Sequence, residues 1–366
     1  VRIAVSGGGP AGLAFAAFMR LAAPGTEVTV WERHRVADTY GFGVILPPAA
    51  TDTVRHADPV LADALEPHLT RWAEIAVRRH GRTLSVSAPP LGALSRRALL
   101  RVLRRRCAEL GVVLHEGVPA PDTDALSCLY DLVVAADGAG SATRTALADR
   151  FGTMTAHTAP HYIWLGAERA FDSLSFFVAD TPDGPVVAHA YPFGPGRGTF
   201  LVEAAHRPDT GEVAALFAKP LAGARLLENR SRWSRFVQVR NAVWSSGNVV
   251  LLGDAAHTAH YSIGSGTRLA LDDAHALVTA LCVEPSLPKA LTAYEAARRP
   301  AVEHTQRIGA ASAEWFAGLT GARGGTDASA EKFLVDLVTR GGRISMGDLA
   351  ADAAGTATAG TVVRGR

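Results

Sequence analysis

Lysine is nearly absent from this 366-residue chain: Lys219, Lys289 and Lys332 are the only three, so almost all of its positive charge is arginine. The formal net charge is still only +2, too mild a balance to point to nucleic acid. Cysteine is scarce as well. Cys107, Cys128 and Cys282 are odd in number, far apart and without a CxxC or Cys/His cluster. That argues for a reducing compartment and against structural zinc, and no metal site is expected. No apolar run approaches the ~18 residues of a membrane span, and no basic stretch leads into an apolar core at the N-terminus. The sequence reads as soluble and cytoplasmic, and as long enough for two packed units.

What the chain has in quantity is glycine at the ends of apolar runs. "RIAVSGGGPAGLAFAAFMRLAAPGTEVTVWER" is strand, glycine-rich turn, helix and strand, a βαβ unit. "SRRALLRVLRRRCAELGVVLHEG" repeats helix then strand, with Gly111 as the helix stop. From about residue 155 the texture changes to short strands, "HYIWLGAE", "SLSFFVAD", "VVAHAYPFG" and "GTFLVEAA", separated by the turn sequences "TPDGP" and "GPGRG". This predicts an antiparallel sheet inserted into an α/β domain. The α/β unit takes residues 1–65, 90–153 and 240–310, and the inserted unit takes 66–89 and 154–239. A C-terminal helical segment runs over 311–352, and 353–366 reads as a tail.

Gly7, Gly9 and Gly12 form G-x-G-x-x-G between a strand and a helix. The first glycine permits the tight turn, the second lets the backbone approach a pyrophosphate, and the third allows close helix packing. Glu32 follows at the end of the next strand, where a carboxylate accepts ribose hydroxyls. Two further strands end in polar turns: "DLVVAADGAG" with Asp137, and "NVVLLGDAAH" with Gly253 and Asp254. A simple NAD enzyme needs neither, whereas a flavin dinucleotide has a ribitol chain that Asp254 could bind. "IGSG" then opens a helix, so Gly264, Gly266 and Thr267 would present backbone N–H groups to the flavin's pyrimidine edge. Pro10, Ala11 and Arg33 complete the predicted cofactor set. For Asp254 a helix cap remains the competing role.

These stretches resemble the three motifs of single-component FAD-dependent aromatic monooxygenases, the p-hydroxybenzoate hydroxylase-like group. "DTYGFGVIL", "AHAYPFG", "SIGSGTRLALDDA" and "LVTRGGRIS" are more narrowly similar to the salicylyl-CoA 5-hydroxylase, 2-aminobenzoyl-CoA monooxygenase and violacein-pathway indole hydroxylase subgroup. The wider group usually carries Pro-Pro where this chain has His260 and Tyr261, and Asn where it has Arg268. The resemblance implies a glutathione reductase-type FAD domain holding FAD tightly but not covalently, with NADPH or NADH as transient reductant. It implies that one oxygen atom of O₂ reaches an electron-rich ring. A flavin-dependent halogenase, another flavin oxidoreductase or a non-catalytic redox sensor are the alternatives, although the W-x-W-x-I-P segment of halogenases is absent.

The resemblance also places Arg96 at the FAD phosphates, against a solvated helix face as the plainer role. On the inserted sheet, strand alternation puts His189 and Tyr191 on one face. They and His260 are the candidates for polar contact to the reacting ring. Phe42, Val44 and Tyr261 are expected to line the substrate side, and His257 to fix its loop. Arg78 and Arg79, within an arginine-rich segment with Arg71 and Arg82, are either a solvated strand edge or a grip on phosphates. The second role would suit an aromatic substrate carried as a CoA or carrier-protein thioester. No nucleic acid or membrane partner is expected, and the protein is expected as monomer or homodimer.

Overall fold

The structure is a computed structural model and describes residues 1–320, 335–337 and 339–343. The expected tail at 353–366 lies outside the described residues, as does most of the segment expected to be helical over 311–352. Among the described residues the strands form two sheets.

The first sheet has six strands, in the order Ser245–Ser246, Val249–Leu251, Leu132–Ala135, Arg2–Ser6, Glu27–Glu32 and Val113–Glu116. All its pairings are parallel except that of the short Ser245–Ser246 strand. The central strands are apolar without alternation, because helices cover both of their faces. The helix Pro10–Ala22 is buried at every position from Ala11 to Met19. It therefore serves as a core element rather than a surface helix, and it packs between the helices Arg96–Glu109 and Gly266–Val283.

The second sheet runs Leu226–Leu227, Thr153–Ala167, Arg197–Ala204, Val186–Gly194, Leu174–Ala179, Thr70–Arg79, Arg82–Ser95 and Gly43–Ile45, with Ser234–Asn241 also paired to Thr153–Ala167. It extends past the boundaries expected at 65 and 89, and it is not antiparallel throughout as expected, because Thr70–Arg79 runs parallel to Leu174–Ala179. Gly43–Ile45 pairs antiparallel with Ala93–Ser95, so both segments belong to this sheet by hydrogen bonding. One face buries Phe177, Ala188, Phe200 and Val202 against Phe171, Phe217 and Leu221. The residues between them in the strands turn the other way, toward the first sheet and its glycine loops. The long helix Leu287–Thr320 closes part of that second face, where Phe316 and Leu319 pack on Val77, Phe176 and Val187.

Candidate active site

A cavity of about 1400 Å³ lies between the two sheets. Small-molecule pockets usually hold about 300–1000 Å³, so there is room for a dinucleotide and a second ligand together. At one end are the three strand termini of the first sheet. Gly7 sits at φ +109°, and a Cβ there would lie 2.3 Å from Ala136 O. At Gly12 a Cβ would lie 2.1 Å from Gly7 O, whereas at Gly9 it would meet no protein atom within 4 Å. The first and third glycines therefore serve the fold, and the second opens onto the cavity.

Glu32 is fixed by the same loop. Its Oε2 accepts the Gly8 N–H at 2.9 Å and its Oε1 accepts that of His34 at 2.7 Å. Gly8, which the spacing argument passed over, is required there: a Cβ would fall 2.7 Å from Glu32 Cβ. Pro10, Ala11 and Arg33 line the same end of the cavity. Asp137 accepts the Ala142 and Thr143 N–H groups through Oδ2, capping the helix Ala142–Ala146. Its buried Oδ1 has no hydrogen-bond partner.

Asp254 faces the cavity with no protein hydrogen bond to its carboxylate. The enclosing walls push its carboxyl above the usual range, against the pull of His257 and Arg96. Arg96 lines the cavity too, with Nε 3.2 Å from Thr39 Oγ1 and its guanidinium 5.1 Å over the Tyr40 ring. Gly264 (φ +69°) ends a 3₁₀ turn, and Gly266 begins the helix Gly266–Val283 with nothing within 4 Å of its Cβ position. That helix end, with Thr267, points its positive pole at the cavity. An unpartnered carboxylate, an open glycine and a bare helix N-terminus fit FAD: ribitol at Asp254, pyrophosphate at Gly9, pyrimidine edge at Gly264–Thr267. Gly253 takes no part in the lining. At φ +61° its Cβ position lies 2.9 Å from Ala11 Cβ, so it lets that turn pack on the first helix.

The other end of the cavity is aromatic. Tyr162 and Tyr261 meet with ring centroids 4.4 Å apart, and Phe236 lies 5.9 Å from Tyr261. Val44 and His189 line this end, and so does Tyr191. The Tyr191 hydroxyl donates to Gly43 O at 2.9 Å, and burial pushes its phenol up to about 12. Its proton is thus committed to the backbone, so Tyr191 shapes the wall and gives nothing to a ligand. Phe42 is not in the wall: it precedes the strand and its ring covers Gly166, where a Cβ would be 2.5 Å away.

His260 also turns away from the cavity. Its Nδ1 is 2.8 Å from Ser262 Oγ, and its ring faces Phe236 at 4.9 Å. Burial lowers it to about 4, although Glu203 pulls the other way. His257 bonds Asp273 at 2.8 Å, and Arg298 reaches the same carboxylate at 2.8 Å. Burial would raise Asp273, but the His257 ring and the Arg298 guanidinium beside it hold it below its usual range. The arginine segment is spoken for as well. Arg79 is buried on Asp180, Arg71 pairs with Glu66, and Arg78 lies 5.5 Å over Phe177; none of the three lines the cavity. Arg230, Arg232 and Arg235 do line it, and nothing but their charge marks them in the sequence. Among the described residues no group of three or more His, Cys, Asp or Glu could hold a metal. No helix among them is long and apolar enough to cross a membrane.

Residues 118–308 match the FAD binding domain family. Over 355 residues, 97% of this chain and 98% of the other, the sequence is 60% identical to the 3-hydroxy-4-methyl-anthranilyl-[aryl-carrier protein] 5-monooxygenase of Streptosporangium sibiricum. The chain belongs to the FAD-dependent aromatic monooxygenases. Within that family it is 40% identical to a salicyloyl-CoA 5-hydroxylase of a Streptomyces species, over 86% of this chain and 65% of that one. Identity to the protodeoxyviolaceinate monooxygenase of Chromobacterium violaceum is 29%, over 86% and 89%. The fold is shared with 2-methyl-3-hydroxypyridine-5-carboxylic acid oxygenase, with a TM-score of 0.73 over 88% of this chain and 93% of that one at 22% identity. As a family member this enzyme uses FAD, reduced by NAD(P)H, to place oxygen from O₂ on an aromatic ring.

Proposed function

We propose that the ring is a 2-amino- or 2-hydroxybenzoyl group carried as a thioester, and that it is hydroxylated para to that donor. The anthranilyl and salicyloyl names of the two relatives describe such rings, each modified at position 5. A donor at position 2 feeds electron density to the para carbon, which an electrophilic oxygen then attacks. The observation that carries the tethered form is the arrangement of the cavity. Its aromatic end, at Tyr162, Phe236 and Tyr261, is continuous with a rim bearing Arg230, Arg232 and Arg235. The Arg232 side chain is exposed and makes no hydrogen bond or ion pair with the described residues, whereas Arg230 pairs with Asp38 at 3.1 Å and Arg235 donates to Thr158 O at 3.3 Å, both on the exposed surface. Such guanidinium groups suit the phosphate of a pantetheine arm.

FAD supplies the oxygen-transfer chemistry. The chain's own residues bind the ring between aromatic walls, exclude water from it, and keep the tether at the rim. The test is steady-state kinetics with free acid, pantetheine thioester and carrier-protein thioester on one enzyme preparation. A free acid that turns over as well as both thioesters overturns the proposal and leaves the family assignment standing.

A further inference from the structure

Glu203 is 0% exposed within the apolar strand Arg197–Ala204. The register shows which way it faces. Leu201 stands opposite His189, and Glu203 stands opposite Val187 on one side and Tyr162 on the other. Side chains alternate along a strand, so Glu203 shares the cavity-side face with His189, Leu201 and Tyr162.

A buried carboxylate is costly unless something answers its charge. His189 Nε2 lies 3.2 Å from Glu203 Oε1, close but not aligned for a well-formed hydrogen bond. Arg340, 4% exposed, comes from the "RGGRIS" stretch and lies near enough for the two charges to stabilise each other. Its guanidinium sits 5.2 Å over Phe176 and 4.8 Å over Phe316, and its Nε donates to Ser312 Oγ at 3.0 Å. Tyr261 and His260 approach the cluster from the loop before the Gly266 helix, and Tyr162 from the neighbouring strand. Burial first, then the Glu203 charge, holds the Tyr261 phenol well above its ordinary value. Both Glu203 oxygens and the Tyr261 hydroxyl remain without a well-formed hydrogen bond.

We propose that Glu203 is a positioning residue that keeps the His189 proton on Nε2, so that Nδ1 is left as an acceptor and the site selects rings whose donor carries a proton. This rests on the thioester reading above. A ring hydroxyl or amine donates to Nδ1, whereas a methylated donor has no proton to give and strands a desolvated acceptor. Sites built around such a bond reject the analogue lacking it far more strongly than apolar pockets reject a methylene. No proton need leave the ligand for this discrimination to operate.

The experiment uses the FAD-loaded full chain and equilibrium binding of pantetheine thioesters of 2-hydroxybenzoate, 2-aminobenzoate and 2-methoxybenzoate. The native enzyme should bind the first two at least tenfold more tightly than the third. In Glu203→Gln the imidazole can turn its N–H to the cavity, and the preference should shrink several-fold. Glu203→Gln/Arg340→Gln removes both buried charges together and guards against a single variant that fails to fold. Any steric cost of the methyl group is common to all three proteins. Nitrogen-15 shifts of the His189 ring should report Nε2–H in the native enzyme and a mixture in the variants. Equal native binding of hydroxy and methoxy ligands overturns the inference alone, as does a preference or tautomer unchanged in the double variant. Failure of every thioester to bind the native enzyme overturns both this inference and the thioester reading.

Discussion

Replacing Gly9 and Gly12 separately by alanine should split cofactor binding from folding. At Gly12 the added carbon would lie 2.1 Å from Gly7 O, 3.1 Å from Val5 Cγ1 and 3.2 Å from Ala136 Cβ. Ordinary contacts sit at about 3.5–4.0 Å, so helix and loop must part by more than ~1 Å in a close-packed core. Overpacking of that kind costs about 1–3 kcal/mol or more, and the apo protein should melt lower. Gly9 is different. Its φ of −78° and ψ of −178° suit any residue, and its Cβ position is clear of protein for 4 Å. Apo Gly9→Ala should be as stable as the parent or ~0.4–1 kcal/mol more stable, because the unfolded chain loses freedom. Its methyl would occupy space that the pyrophosphate needs, so FAD affinity should fall at least about tenfold, or ~1.4 kcal/mol. Flavin fluorescence titration of the apo proteins, paired with thermal melts without FAD, reads both quantities. If Gly9→Ala retains FAD like the parent, the pyrophosphate does not pass Gly9 and the assignment of this end of the cavity is wrong.

Other outcomes follow from the same geometry. Asp254→Ala should lose FAD by an amount worth about 1–3 kcal/mol with little change in the apo melt, since that carboxylate has no protein partner; unchanged retention on gel filtration would remove it from the site. His260, held at about 4 by burial, refuses a proton that the unfolded chain accepts below 6.5. Stability should therefore fall from pH 6.5 downward and level off below about 4, with roughly 2 kcal/mol lost by pH 5 from this group. Urea denaturation of His260→Gln should show a shallower loss over that range, and an equal loss would refute the cause. Arg79→Ala should cost about 1–3 kcal/mol of stability, because Asp180 is left with the exposed His80, and leave thioester KM alone, whereas Arg232→Ala should raise thioester KM at constant kcat and spare stability; the reverse pattern would restore the phosphate grip to the Thr70–Arg79 strand. In ¹⁸O₂ one labelled atom should enter the product, and label arriving from water instead would contradict oxygen transfer at the flavin.

The nucleotide-binding end was legible in the sequence because its constraints are local. Gly7 needs a left-handed φ, and Glu32 needs only the length of one βαβ unit to come back to the loop. The antiparallel hairpins of the inserted sheet were legible from their turns and alternation, but its parallel pairing of Thr70–Arg79 with Leu174–Ala179 joins segments a hundred residues apart and left no local signal. What escaped depended on neighbours distant in the chain. Arg79 looked like a free cation because Asp180, its partner, is a hundred residues away. His260 follows a motif toward the flavin, yet its ring is drawn to Ser262 and Phe236. Phe42 and Val44 share a parity, but the strand begins at Gly43, so only Val44 obeys it. Glu203 did leave a trace: one acid in phase with Leu201 and Thr199 inside an otherwise apolar strand. Arg340 left another, as the first residue of a stretch that marked the subgroup without an assigned task.

The cofactor cradle is assembled from the Arg2–Ser6, Leu132–Ala135 and Val249–Leu251 strand ends, with excursions through the second sheet in both intervals and the longer of them between the last two. On the ribosome this order has a cost in time. The glycine loop emerges well ahead of Asp254 and the helix starting at Gly266, which follow only after the second sheet has been synthesised. Pairing so distant in sequence is slow to nucleate and leaves unpaired strand edges exposed meanwhile. A nascent chain stalled before residue 249 has half a nucleotide site and lacks a strand of the first sheet. Flavin capture is thus a late event in the life of each molecule, since the site that receives the cofactor is complete only once the chain has passed Gly266.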